Sequence, residues 1–471
     1  MTRRKTKLVC TLGPATSSPE AIRGLVDAGM DVARLNFSHG SHEEHATRIE
    51  ALRRIEEEVG RPVAVLQDLG GPKIRVGPIA GGSVRLEPNQ RFTLTSRPVP
   101  GDDREVSISY AGLPGEVRAG VPVLLADGLI ELEVVETTAT DIHCRVLAGG
   151  TLGAHKGINL PSETLSVTAF TEKDRADLEF GIERGVDLVA LSFVRSASEI
   201  ADVRRIIEAR GARIPVIAKI EKHEALERID EILDASDGCM VARGDLGVEI
   251  ALERVPLVQK SIIRRARTLG RPVITATQML TSMVESPRPT RAEAADVANA
   301  VLDGTDAVML SEETAVGKHP VRAVETLDRI ARAVEPELPC VDALSPKDES
   351  PGVPGAISGA VCYLAEALDV AAIVVPTESG TTARLVARHR PGKPILAFSP
   401  ARETVHALQL SWGVVPSLLS PSADTDRVIG DCIVAARTAG HVQSGDTVVV
   451  TAGVPIRTPG TTNLIRIEVV P

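Results

Sequence analysis

Aromatic residues are scarce in this 471-residue chain: two Tyr, six Phe and one Trp. So few rings leave little on which single-stranded bases could stack, and the cores must be built from aliphatic side chains. Positive charge is not in excess either. A formal charge of -10 disfavours non-specific binding to nucleic acid or anionic membrane, yet it allows a local basic pocket for a phosphorylated substrate. The six cysteines, Cys10, Cys144, Cys239, Cys340, Cys362 and Cys432, are dispersed without a C-x-x-C pair. Neither a zinc ligand set nor a disulfide framework is indicated. No apolar run is long enough to span a bilayer, and the basic start MTRRKTKLVCTLGP is cut short by Gly13 and Pro14, unlike a signal-peptide core. These absences point to a cytoplasmic protein in a reducing compartment, with no nucleic-acid or membrane partner.

What is present is rhythm. Short β-branched runs (KLVCTL, DVARLNF, PVAVLQDL) alternate with helical stretches such as SSPEAIRGLVDAG, where Ser18 caps, Pro19 suits the first turn and Gly29 ends the helix. Strands joined by helices call for a parallel sheet. From Lys73 the rhythm stops, and Gly81-Gly82, Gly101-Asp102, Asp127-Gly128 and Gly149-Gly150 punctuate short strands in an all-β pattern. After TEKDRADLEFGIERG the alternation resumes with DLVALSF, PVIAKIE, GCMVAR, PVITATQ and DAVMLS. Three strands before the interruption and five after it close a barrel of parallel strand-helix units. The fold expected is a (β/α)8 TIM barrel over 1–72 and 170–337, with an inserted small β-barrel lid domain over 73–169 after the third strand. A linker rich in Pro, Ser and Asp (Leu338 to Gly355) opens a C-terminal α/β domain over 338–471.

In such a barrel, chemistry gathers at the C-terminal strand ends, and polar residues collect there: Arg34, Asn36, Ser38, Asp68, Lys219, Glu221, Arg243, Asp245, Thr277 and Ser311. In VIAKIE, Lys219 and Glu221 are two apart and share one face of an extended strand. Any one of these residues could be a structural ion pair, but burying so many charges is costly unless they are paired or serve a ligand. Glu221 and Asp245 suit a hard cation such as magnesium, which keeps positions for phosphate and water. With Lys219 and Arg34 they form an apparatus for stabilising a phosphoryl group in flight. In RGDLG, Gly244 allows close backbone approach to a ligand, although a lone Gly-Asp is ordinarily a turn.

The blocks KLVCTLGPAT, DVARLNFSHGSHEEH, GPKIRVG, HKGINLP, VIAKIEKHEAL, MVARGDLGVEI, ATQMLTSM, SPRPTRAEAADVANAVLDGTDAVMLS and PGTTNLIRI make the chain resemble the pyruvate kinase family from end to end. The resemblance implies phosphoryl transfer from phosphoenolpyruvate to ADP, giving pyruvate and ATP. By it, Lys219 stabilises the transferring group, Arg34 contacts the substrate phosphate, Glu221 and Asp245 hold Mg2+, and Thr277 with the backbone of Gly244 and Asp245 meets the substrate carboxylate. Asn36, His39, Arg75 and Lys156 match nucleotide or phosphate contacts, and the last two make the inserted domain a lid that excludes water. A homotetramer is also implied.

The chain departs from the family pattern in places. The potassium ligands of related enzymes match Asn36, Ser38, Asp68 and the main chain of Leu69, but potassium-dependent members resemble one another in carrying Glu where this chain has Lys73. An ammonium standing in for the cation implies activity without K+. Gly70 replaces a more usual polar residue, and Glu312 adds charge beside Ser311, so Ser311 receives no proton-transfer role. In the third domain, Thr377, Ser379, Gly380, Thr381 and Thr382 lie between a strand and a helix, a plausible cradle for a phosphorylated allosteric effector and equally an ordinary capped turn. Two other readings stand beside the kinase: another magnesium-dependent barrel enzyme acting on phosphoenolpyruvate or pyruvate, an aldolase or lyase, and a non-catalytic metabolite sensor. Neither aldolase nor lyase needs a lid bearing Arg75 and Lys156.

Overall fold

The computed structural model describes residues 4–161, 166, 168–338, 352–421, 424–454 and 461–471. Eight parallel strands close a barrel: Lys7–Leu12, Val32–Asn36, Ala64–Asp68, Leu188–Leu191, Val216–Ile220, Gly238–Ala242, Val273–Ala276 and Ala307–Leu310, with the first strand paired to both the second and the eighth. Alternation along the strands sorts their side chains. Val9, Val32, Leu66, Ile217 and Met240 fill the interior, while Leu8, Cys10, Ala33, Val65 and Ala218 pack outward beneath the helices. Those helices begin and end where local chemistry dictates. Ser18 accepts from Ala21 N ahead of Pro19–Asp27, and Ser41 with Glu44 forms a capping box on His42–Val59, which ends at Gly60 in the left-handed region.

Two junctions are tighter than the sequence implies. The sixth strand stops at Ala242, so Arg243 and Asp245 open the helix Arg243–Glu249 directly and RGDLG is helical rather than a turn. The fifth strand stops at Ile220, placing Glu221 one residue beyond it.

Between the third and fourth barrel strands, six strands form one sheet in the order Ile158–Asn159, Pro122–Leu125, Ile130–Thr137, Asp141–Ala148, Arg91–Thr95, Glu105–Ser107. Single bridges from Arg75 to Gly157 and from Val76 to Ile108 join its two ends, rolling it around a core of its own that runs from Ile74 to Leu160. A separate five-stranded sheet carries the C-terminal region, with its last strand, Thr462–Val469, antiparallel. The expected linker over 338–355 lies mainly outside the described residues. Its last part, from Gly352, already belongs to the helix Gly352–Ala367.

The C-terminal domain seals the base of the barrel. Leu410 joins the interior cluster, Gln409 donates to Pro62 O at 2.8 Å, and Lys7 Nζ donates to Val414 O at 2.7 Å.

Candidate active site

The residues singled out at the strand ends converge on the opposite rim. Lys219 Nζ lies 3.1 Å from Asp68 Oδ1, 3.0 Å from Glu221 Oε1, and donates to Ser192 Oγ at 2.6 Å. The ends of the third and fifth strands and the segment after the fourth therefore meet on one ammonium. Ser192 donates onward to Leu69 O at 2.7 Å, and Arg34 Nε donates to Asp68 Oδ2 at 2.6 Å while its Nη1 reaches Thr11 Oγ1 at 3.0 Å. Asp68 and Glu221 are each 1% exposed.

Burial sets the electrostatics. It would raise the Asp68 carboxyl, but Lys219 and Arg34 hold it below the usual range. Burial would lower Lys219, yet Asp68 and Glu221 raise it above an ordinary lysine, so the ammonium keeps its proton. Burial pushes the Glu221 carboxyl up; Lys219 opposes this and Asp245 adds to the rise. A buried carboxylate, with a main-chain N–H from Phe193 at 2.7 Å and a second carboxylate close enough to disturb it, fits a hard divalent cation. Among the described residues no group of three or more His, Cys, Asp or Glu is poised for a metal. A cation held by Glu221 and Asp245 would therefore complete its shell with substrate and water.

Thr277 sits in the left-handed region at φ 68° and Gln278 follows at 55°, a conformation that a β-branched residue adopts only when its surroundings impose it. Arg243 imposes it. Its guanidinium donates to Ala276 O at 3.1 Å and Thr277 O at 2.6 Å, anchored by Asp296 at 2.7 Å. Thr277 Oγ1 in turn accepts from Gly244 N at 2.8 Å. That N–H is thus engaged within the protein. A Cβ at Gly244 would meet Thr277 only at ordinary contact distance, so close approach does not require glycine there.

The four positions matched to a monovalent cation are grouped, but three of them already have partners: Asn36 Oδ1 accepts from Ser38 N at 3.1 Å, Leu69 O from Ser192, and Asp68 from Arg34 and Lys219. Lys73 points elsewhere, to Asp245 Oδ1 at 3.1 Å, with Asp127 on a lid hairpin 4.0 Å away. Gly70 lies against Ser38, whose Oγ would be 3.1 Å from an added Cβ.

His39 is exposed on the rim. Partial burial, then the charges of Arg75, Arg34 and Lys73, hold its imidazole below the ordinary value, which brings the lid arginine into the same field. Arg75 itself donates to His155 O at 3.1 Å, and Lys156 stays exposed on the lid. Ser311 N donates to the buried Glu313 at 2.7 Å, and Glu312 faces solvent. In the C-terminal domain the Thr377–Thr382 loop satisfies itself: Gly380 N donates to Thr377 Oγ1 at 3.0 Å, Ser379 meets Thr381 at 3.0 Å and Thr382 meets Thr462 at 2.6 Å. Sequence reasoning missed Ser192, Asp127 and the positioning work of Arg243. Arg243 stood among the strand-end residues without a role, and a serine before a Phe-Val pair carries no signal at all.

The chain is similar to known proteins along nearly its whole length. A family model described as pyruvate kinase, barrel domain, matches residues 3–324, and one described as pyruvate kinase, alpha/beta domain, matches 355–468. The chain is 50% identical to Pyruvate kinase 2 of Synechocystis sp. over 99% of its own length and 79% of that relative. It is 48% identical to pyruvate kinase of Geobacillus stearothermophilus (99% and 81%) and 45% identical to that of Staphylococcus aureus (99% and 80%).

Proposed function

The chain belongs to the pyruvate kinase family, and from that premise we propose that it moves the phosphoryl group of phosphoenolpyruvate to ADP with the help of Mg2+ and without a need for K+. The observation that carries the reading is the Lys219 ammonium, kept charged between Asp68 and Glu221 on the rim. In the reaction the bond from phosphorus to the enol oxygen breaks, a bond to the terminal oxygen of ADP forms, and the enolate takes a proton to become pyruvate. Lys219 and Arg34 supply fixed positive charge to the equatorial oxygens as they pass between the two. Asp68 holds both cations in place at 2.6 and 3.1 Å, so they need not reorganise during transfer. Glu221 and Asp245 would hold Mg2+, which when bound neutralises charge on the phosphates. Thr277, locked by Arg243, orients the carboxylate end of the substrate. The lid, with Arg75 and Lys156 and with His39 facing it from the barrel, closes over the nucleotide and excludes water that would hydrolyse the phosphoryl group.

ADP-dependent formation of pyruvate by the purified protein tests the assignment. Lys219→Met should lower turnover about 10²- to 10³-fold with a much smaller change in the KM for phosphoenolpyruvate. Unchanged turnover in that variant would overturn the reading, and pyruvate release without ADP would favour a lyase. Potassium independence rests on the prior engagement of Asn36, Asp68 and Leu69 O, while Lys73, paired with Asp245, adds positive charge to the rim without entering that site. Activity should persist in potassium-free buffer, and an absolute requirement for K+ would end that part of the proposal. A cytoplasmic homotetramer whose Thr377–Thr382 loop answers to a phosphorylated effector completes the proposal.

A further inference from the structure

At the base of the barrel, far along the strands from the rim, the turn before the seventh strand meets the end of the helix Thr381–Ala387. They enclose a cavity of about 10 Å³, room for one water-sized particle. Five arginines and a single carboxylate line it. The carboxylate, Asp306, is fully used: it takes Arg390 Nη2 at 3.0 Å, Val273 N at 3.1 Å and Trp412 N at 3.1 Å.

Donors are left over. Ser411 is 1% exposed and Arg390 3% exposed, yet Ser411 Oγ and Arg390 Nε have no hydrogen-bond partner, and neither does Arg271 Nε. Arg384 reaches Thr381 Oγ1 at 3.4 Å. Burial, with Arg271 adding to it and Asp237 opposing, holds the Arg384 guanidinium down at about 10. Buried polar groups are ordinarily paired, and each exception calls for a ligand, an ion or a water. A water could accept two of these donors but would leave Arg384, whose hydrogen bond goes to a hydroxyl, and Arg271, which meets Asp237 only at 3.9 Å, without a close counter-charge. An anion answers both needs at once.

We propose that this cavity is an anion site, taking chloride or one oxygen of a phosphate group, and that its occupant ties the C-terminal domain to the barrel. Ser411, Arg384 and Arg390 come from one side of the seam and Arg271 from the other, so binding should favour the docked arrangement. It stands apart from the assignment of the rim, which it would outlive.

Thermal unfolding at constant ionic strength, with gluconate exchanged for chloride or for inorganic phosphate, reads the effect in solution. Wild type should gain about 2 °C or more, and Arg384→Gln and Arg271→Gln, both partly exposed positions, should lose most of that gain. A gain from chloride alone identifies a halide site, and a gain from phosphate alone identifies a phosphate-group site. No gain from either anion, or equal gains in wild type and both variants, overturns the proposal. Should the variants fail to fold, crystals of the wild-type protein grown in gluconate and soaked in bromide decide the matter. An anomalous peak beside Ser411 and Arg390 supports the site, and a water persisting there refutes it.

Discussion

The lid and the C-terminal domain each lean on the barrel, one at either end, and their seams are built from different materials. The lid keeps its hydrophobic core to itself, within residues 74–160, and reaches Asp245 on the barrel through Lys73 at its hinge, with Asp127 on the lid hairpin facing the same ammonium. The C-terminal domain instead puts Leu410 into the barrel interior and buries ions around it. His406 sits 2.7 Å from Glu56 and 3.2 Å from Asp187, and Arg390 3.0 Å from Asp306. A half-buried charge pair at a hinge releases more easily than apolar packing with buried ions, which holds one geometry. On the proposed function, a module that admits a nucleotide and then shuts out water suits the first kind of seam. One that must hold the barrel floor in register suits the second.

The largest effect expected from this contrast comes from Leu410→Ala. Removing a fully buried leucine from the cluster of Val9, Val32 and Met240 should cost about 2–5 kcal/mol, read as a lower denaturant midpoint. Turnover of the folded variant should stay near that of wild type, because the groups proposed to act on the substrate sit at the other rim. A loss under about 1 kcal/mol would mean that the base seam is as loose as the lid seam.

Much of the upper rim was legible in the sequence because strand-end residues and period-two alternation decide which side chains can meet. Lys219 and Glu221 needed only that. Asp68 and Arg34 followed from the strand count, since barrel closure brings the second, third and fifth strand ends to one rim. The partner of Lys73 was not legible. Its direction depends on how the lid hinge leaves the third strand, and nothing local to GPKIRVG selects Asp245 over Asp68. The strain at Thr277 was hidden for a related reason, since a threonine predicts extended backbone and the distant Arg243 overrides it. The base seam was least legible of all. Nothing local sets His406, Gln409 and Leu410 apart, and only docking reveals that their face is inward.

A smaller effect concerns the pH dependence of that base seam. Burial works against the Glu56 carboxylate, but His406, Arg53 and Arg402 hold its pKa below the usual value. A carboxyl with a lowered folded-state pKa contributes stability that is present above its unfolded value, about 4.3, and is lost as pH falls through the folded one. Glu56→Gln should therefore be less stable than wild type at neutral pH, by about 1–2 kcal/mol, and should lose less on acidification. Asp187, raised by burial, acts with the opposite sign and shares Arg53 and His406 with Glu56, so the same comparison made in an Asp187→Asn background separates the two carboxyls. Denaturant midpoints from pH 7 to pH 3.5 check this, and parallel curves would show that Glu56 is not what titrates the seam.

The smallest effect is the most discriminating for the lid. Asp127 is 69% exposed on a hairpin whose residues 126–128 all have positive φ, and its carboxylate lies at the outer limit of ion pairing with Lys73. Lys73 has a closer partner in Asp245, so losing Asp127 leaves the ammonium compensated. Asp127→Asn should change global stability by less than about 0.5 kcal/mol, and the KM for ADP should rise only modestly, through faster opening of the lid. Were the stability change instead to exceed about 1 kcal/mol, the Asp127 contact would be fastening the lid rather than merely steering it, because a screened surface pair cannot supply that much. The two seams would then differ in position but not in kind.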